Sequence, residues 1–274
     1  IHCHANAMTV SSLLKASVVL KRPELRDRAL EALAFLRDEL FDGRDVYHYW
    51  DGSYHLPGML ADQAYLIRAF VDASQLTGDS DLLLPAEAIA ERAIARQKAP
   101  GGGFYDLAND PRQSGPMRRR NRSILENSVM AEALVRLACL SRRPEFHGEG
   151  IAALEAFAND YKEYGYYVAG FGRAVDLVFF EPVVLTIVGD RASAASEALR
   201  NAALSTYVPS RMVQMLDPVH DPVLIGRSGY KVAEQPVVYV QVGKSTREPV
   251  RTPDELLKAL DQIGWERKSR IREG

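Results

Sequence analysis

A chain of 274 residues is long enough for one large domain or two smaller ones, and 47% hydrophobic with 26% charged residues is an ordinary globular balance. Its 34 basic and 36 acidic residues leave a net charge of −2, which excludes a general electrostatic affinity for nucleic acid or an anionic membrane. Cys3 and Cys139 have no CxxC spacing, so no disulfide framework is expected and a reducing, cytoplasmic compartment is.

The chain opens on Ile1 and runs into a helical pattern with no leader visible, which is expected of a fragment of a longer polypeptide. From Thr9 to Phe180 apolar residues recur at three- and four-residue spacing, the mark of helices that bury one face. The spacing predicts helices at Thr9–Leu20, from Pro23 through Leu40, Met59–Leu76, Asp81–Gln97, Ser123–Leu140 and Phe146–Glu163, with a shorter one at Gly172–Phe180. Short links at Lys21-Arg22 and Thr77-Gly78-Asp79 alternate with long ones at Asp42–Gly58 and Lys98–Arg122. Helical hairpins with long loops on one side describe a hairpin array or toroid, with a cleft at the long-loop rim. Six helices would be half of a closed ring of twelve.

The most apolar stretch, Val175–Val188, is broken by Asp176, Glu181 and Pro182 and falls short of the roughly 20 residues of a membrane span. After Pro182 the run Val183–Val188 reads as a buried strand, followed by a helix at Ser193–Tyr207 and strands at Met212–Leu216 and Val237–Val242. A helix at Pro253–Ile263 and a charged, fraying tail complete the chain. The fold class is therefore mainly α: an incomplete helical-hairpin (α/α) toroid at 1–181, a small α/β unit at 182–263, and a tail at 264–274. Val183–Val188 and Val237–Val242 are expected to be neighbours in one sheet beneath the Ser193–Tyr207 helix.

Several segments carry chemistry. The Asp42–Gly58 loop holds His48, Tyr49, Trp50, Asp51, Tyr54 and His55. Aromatic faces bury the apolar side of a sugar ring while imidazoles and carboxylates bind its hydroxyls, although the same aromatics also suit a packed loop covering helix ends. Asp62, in a first helical turn on the row of Leu66, Ala69 and Phe70, is expected to be partly desolvated and fit for acid–base chemistry, though the helix dipole alone favours an acid there. Glu126 lies on the row of Val129, Met130 and Ala133 and would supply the second carboxylate that glycosidases use; Ser123 and Glu126 also fit a reciprocal capping box. Arg118, Arg119, Arg120 and Arg122 read as a solvated charge run or an anion clamp. His2 and His4, two residues apart in an extended end, would point to opposite faces, and with no four-ligand pattern visible neither a metal nor another cofactor is expected.

Pro57-Gly58-Met59-Leu60-Ala61-Asp62-Gln63-Ala64-Tyr65-Leu66-Ile67, the turn Gly101-Gly102-Gly103-Phe104-Tyr105-Asp106, Asn127-Ser128-Val129, Val184–Asp190 and Val237–Val240 with Pro249–Leu256 occur in an order and spacing that resembles the C-terminal part of a thioredoxin-domain-containing family, that of spermatogenesis-associated protein 20 and its bacterial relatives. The resemblance spans most of the chain and implies a toroid similar to six-hairpin glycosidases and N-acylglucosamine 2-epimerases, preceded in the full-length protein by a thioredoxin-like domain. Where relatives tend to have cysteines, this chain has Gln241 and Thr246, and Glu126 replaces a small residue. The expected function is a sugar or sugar-derivative cleft with Asp62 and Glu126 as catalytic candidates and His48, Tyr49, Trp50, Asp51, His55 and Asn127 as substrate-binding ones. The alternative is a non-catalytic scaffold serving the thioredoxin-like domain. Expected partners are a sugar-like molecule and either the N-terminal part of the parent protein or a second copy, because Leu30, Leu33, Phe35, Leu36 and Leu40 cover more of their helix than one neighbour buries.

Overall fold

The computed structural model describes residues 1–111, 114–180, 182–208 and 210–273, so Glu181, on the expected domain boundary, and Arg112 and Gln113, in the expected long loop, lie outside the described residues. The chain divides into two compact units, residues 1–74 with 81–179, and residues 75–80 with 180–274.

In the first unit, α1 (Cys3–Val19) and α2 (Pro23–Leu40) pack together, as do α5 (Ile124–Ser141) and α6 (Pro144–Glu155). Both links are tight because Lys21 and Arg142 take left-handed conformations with φ of 54° and 60°, and because Pro23 and Pro144 start the returning helices with φ already set. Between these pairs lie α3 (Leu60–Thr77) and α4 (Leu83–Gln97), and α7 (Ala169–Phe179) packs on α5. Leu60, Ala64, Leu66, Ile67, Ala69, Phe70, Val71 and Ala73 of α3 are all fully buried; a helix apolar around most of its circumference belongs in the interior. Leu33, Leu36 and Leu40 of α2 are likewise buried, and Leu30 and Phe35 are half-buried.

Three segments of this unit depart from the sequence expectation. α1 begins at Cys3, not Thr9, because its buried stripe Cys3, Ala7, Val10, Leu14 continues the helical period back through a stretch whose histidines look polar. The Asp42–Gly58 loop contains a hairpin, β1 (Tyr47–Trp50) with β2 (Tyr54–Pro57), paired through Tyr49 and His55 and through Trp50 and Tyr54. Its aromatic residues favour strands, and Asp51-Gly52-Ser53 forms the turn. Helix α6 ends at Glu155, and Tyr161–Val168 is a 3₁₀ stretch rather than a continuation to Glu163.

In the second unit, β3 (Val183–Val188) is parallel to β4 (Arg211–Leu216) and antiparallel to β5 (Val237–Val242), with β6 (Ser245–Thr246) outside β5. The expected pairing of Val183–Val188 with Val237–Val242 is present along the whole length of both strands. Every residue of β3 is buried, as a central strand covered on both faces requires. Leu199 and Ala203 of α8 (Ala194–Ser205) and Leu256, Leu260 and Ile263 of α10 (Pro253–Glu273) share one core with Val183, Leu185 and Ile187. Ile225 of α9 (Pro222–Ser228), an element the sequence reading missed, packs with Val188 and Leu216. Helix α10 runs on to Glu273, past the expected end at Ile263 and through the segment read as a tail. No helix among the described residues is long and apolar enough to cross a membrane.

Candidate functional site

The N-terminal turn of α3 is fixed by backbone pairing on both sides. Gly58 donates to Val46 O at 3.0 Å and accepts from Ala108 N at 2.9 Å, and Leu60 N donates to Asp106 O at 2.8 Å. Gly58 has φ of +78°, and a Cβ there would lie 2.7 Å from the Cβ of Ala108, so only glycine fits. These contacts place Asp62, which is fully buried, at the start of the helix.

Asp62 meets two histidines. Its Oδ2 is 2.9 Å from His48 Nδ1; its Oδ1 accepts the backbone N–H of His4 at 3.0 Å and lies 3.4 Å from His4 Nδ1. The His4 contact depends on the early start of α1 and on residues 1 and 2 lying along β1, where Trp50 N donates to Ile1 O at 2.8 Å and His2 bridges to Tyr49. The rings of His4 and His48 stack with centroids 5.6 Å apart and 10° between planes, and His2 meets His48 edge-on at 5.2 Å. Burial pushes the Asp62 carboxyl up to about 7, against the lowering effect of the His4 backbone hydrogen bond and charge. His4 Nδ1 is buried, and its one polar neighbour among the described residues is Asp62 Oδ1, at the long distance of 3.4 Å. The expectation that His2 and His4 diverge is therefore overturned, because the segment is folded onto the hairpin with His4 inside a helix.

Glu126 sits in the first turn of α5. Burial, then the charges of Asp106 and Asp62, raise its carboxyl to about 7. Only half of the expected capping box forms: Glu126 N donates to Ser123 Oγ at 3.4 Å, whereas Glu126 Oε2 is buried with no partner among the described residues. A buried, unsatisfied carboxylate oxygen resists ionisation, which agrees with the raised value.

The other candidates fall in different places. Tyr49 stacks on His55 at 4.3 Å with 9° between planes, so ring contacts lead from His55 through Tyr49 to His48. Trp50 and Tyr47 both pack on Tyr54, at 5.2 and 4.4 Å. Asp51, exposed, lies 2.8 Å from His55 Nε2 and closes the hairpin turn. Asn127 is fully committed: its Oδ1 accepts from Phe104 N at 2.7 Å, and its Nδ2 donates to Phe104 O and Ser123 O at 3.0 and 2.9 Å. It holds the glycine turn against α5, and both N–H donors of its amide are used there. Arg122 donates to Gly101 O and Gly102 O, and Arg120 lies 4.2 Å over the Tyr105 ring, so these two arginines brace the turn rather than forming a free charge run. His2, His4 and Asp106 were not among the sequence candidates; the apolar stripe reaching back to Cys3 was the signal that placed His4 in a helix.

No family model matches the chain. Over 280 residues it is 22% identical to spermatogenesis-associated protein 20 of Rattus norvegicus, covering 94% of this chain and 35% of that protein. The human protein of the same name is 22% identical over 283 residues, covering 93% and 35%. The chain thus spans about a third of the length of the curated relatives it matches, and it corresponds to their C-terminal part. Among solved structures it is similar to a family 76 glycoside hydrolase from a bovine Bacteroides thetaiotaomicron strain, with a TM-score of 0.51 and 15% identity over 58% of this chain and 35% of that one. It is also similar to a GH76 α-mannanase of Bacteroides thetaiotaomicron, with a TM-score of 0.53 and 13% identity over 63% and 50%. The fold is that of a helical-hairpin (α/α) toroid followed by a small α/β unit.

Proposed function

We propose that this chain contributes a carbohydrate-processing cleft in which Glu126 is the general acid and Asp62, backed by His48, is the general base. The observation that carries the reading is the Glu126 carboxyl, raised to about 7, with a buried Oε2 that has no partner among the described residues and near enough to Asp62 to feel its charge. In the hydrolysis that two such carboxyls support, Glu126 gives its proton to the bridging oxygen as the bond from the sugar carbon to that oxygen breaks. Water supplies the new bond to the carbon, and its proton passes to Asp62. Tyr49 with the His55 ring stacked on it offers an aromatic platform on the same hairpin that carries His48. The likeness in fold to glycoside hydrolases supports a sugar ligand, although activity is not inherited from a fold. A scaffold serving another domain would give no reason for a raised carboxyl, Glu126, to lie within reach of the charge of a second that meets two histidines.

The test is turnover of a panel of aryl glycosides by the chain, by D62N and by E126Q. Activity in the parent that falls by about a hundredfold or more in each variant supports the assignment; equal activity in all three, or none in the parent together with no sugar binding, overturns it.

A further inference from the structure

We propose that His4, His48 and Asp62 form a divalent transition-metal site of the two-imidazole, one-carboxylate class, open to solvent on one side. The inference goes beyond the carbohydrate reading and does not rest on it, and Asp62 serves as the general base of that reading only in the ion-free chain.

The three side chains come from three elements, the first turns of α1 and α3 and strand β1, and each turns a ligand atom toward the others. Their potential ligand atoms all lie within 4.8 Å of one another. An ion bound at about 2.0–2.2 Å to nitrogen and carboxylate oxygen sets neighbouring ligand atoms about 3.0 Å apart in an octahedron and about 3.4 Å apart in a tetrahedron. The two separations found here are 2.9 Å, from His48 Nδ1 to Asp62 Oδ2, and 3.4 Å, from His4 Nδ1 to Asp62 Oδ1. The two contacts run to different carboxylate oxygens, so the two imidazoles have to draw together across Asp62 for one ion to be held by all three.

His4 provides an independent indication. Its buried Nδ1 has, among the described residues, only a long 3.4 Å contact with Asp62 Oδ1; a buried ring nitrogen with so weak a partner is poorly repaid for its lost water. An ion satisfies that nitrogen and both carboxylate contacts together. The surrounding charge also favours a cation. The Asp62 carboxylate, fully buried, offsets the positive ends of α1 and α3. His2, Tyr49 and Tyr65 ring the site without crowding it, at 5.2 Å and 6.2 Å from His48 and 6.4 Å from His4 between ring centroids. The His4 and His48 side chains are 37% and 19% exposed, so ions have access and coordination positions remain for water or ligand, as in catalytic rather than closed structural sites. Two imidazoles select zinc, cobalt, iron or nickel over magnesium and calcium.

Binding is tested on the chain stripped with a chelator, by calorimetric titration with zinc chloride and by the visible spectrum with cobalt(II) chloride. The expected result is saturable binding of one ion per chain, with cobalt bands of a nitrogen- and oxygen-ligated ion. H4A and H48A each remove one of three ligands and should weaken binding by at least about a hundredfold, the most that loss of an outer-shell contact costs, while H220A, in the other unit, leaves it unchanged. Far-UV circular dichroism checks that the variants fold; if H48A does not, H4A, whose ring is the more exposed, carries the comparison, and the cobalt spectrum of the parent chain stands without either. Absence of saturable zinc and cobalt binding by the folded parent overturns the proposal, as does binding that H4A leaves intact. No sugar enters these measurements, so their outcome is separate from that of the glycoside assay.

Discussion

Replacing Glu126 by glutamine should make stability less dependent on pH, with the largest effect above neutrality. Its carboxyl is raised from an ordinary 4.5 to about 7, first by burial and then by Asp106 and Asp62. Below pH 4.5 the group is protonated in both folded and unfolded chains and contributes nothing. Between 4.5 and 7 the folded chain holds a proton that the unfolded chain has released, so unfolding releases a proton and stability falls as pH rises. Above 7 both forms are ionised and the penalty is constant. At about 1.4 kcal/mol per pKa unit the full shift would amount to about 3.4 kcal/mol, and partial exposure of the side chain screens this to about 1–2 kcal/mol. Thermal melts of parent and E126Q at pH 5 and pH 8 test it. The melting temperature of E126Q relative to the parent should rise between the two pH values by about 2–6 °C, at a few degrees per kcal/mol for a chain of this size. A relative melting temperature that is the same at both pH values would refute the placement of Glu126 in a desolvated, carboxylate-rich setting.

Three further outcomes are expected. N127A removes three hydrogen bonds and strands the buried N–H and C=O of Phe104; a loss of about 2–4 kcal/mol in chemical denaturation is expected, with faster hydrogen exchange at residues 101–105. Burial drives the Asp72 carboxyl up, but the Arg136 and Lys15 charges more than reverse this, with Arg136 Nη2 at 2.5 Å; R136M strands that carboxylate and should cost about 3–5 kcal/mol, much of it restored by a second change of Asp72 to Asn, whereas no recovery would mean that packing rather than charge is at stake. Burial raises the Cys139 thiol to about 11, so at pH 8 its labelling by a thiol reagent in the folded chain should be roughly a hundredfold slower than in the unfolded chain, and equal rates would show the thiol to be exposed.

Most of the fold was legible because it rests on period. Pro23, Gly78 and the apolar rows gave α2 to α5 within a few residues, and the β-branched run Val183–Val188 could be read as a strand buried on both faces. Errors arose where polar or aromatic chemistry masked the pattern. His2 and His4 hid the first turn of α1, and Tyr47–Trp50 read as loop because the interest of its side chains as ligands outweighed their strand propensity, although Asp51-Gly52 is a hairpin signal. At the site, Asp62 and Glu126 were legible from their positions on apolar helix rows. That His4 would reach Asp62 was not, since the contact depends on residues 1–2 pairing with β1. Asn127 shows a contact no sequence pattern gave: its amide bonds both the N–H and the C=O of Phe104 and so ties the glycine turn to α5.

The most direct test of the proposed sugar site is a thermal-shift titration of the parent chain and E126Q against monosaccharides, oligosaccharides and uronic acids at pH 7. A ligand at a hundred times its Kd stabilises by about 2.7 kcal/mol, several degrees in a chain of this length. The account predicts that at least one saccharide produces such a saturable shift in the parent and that the shift is reduced or lost in E126Q. A parent chain that no saccharide stabilises, or a shift that E126Q leaves unaltered, would contradict it.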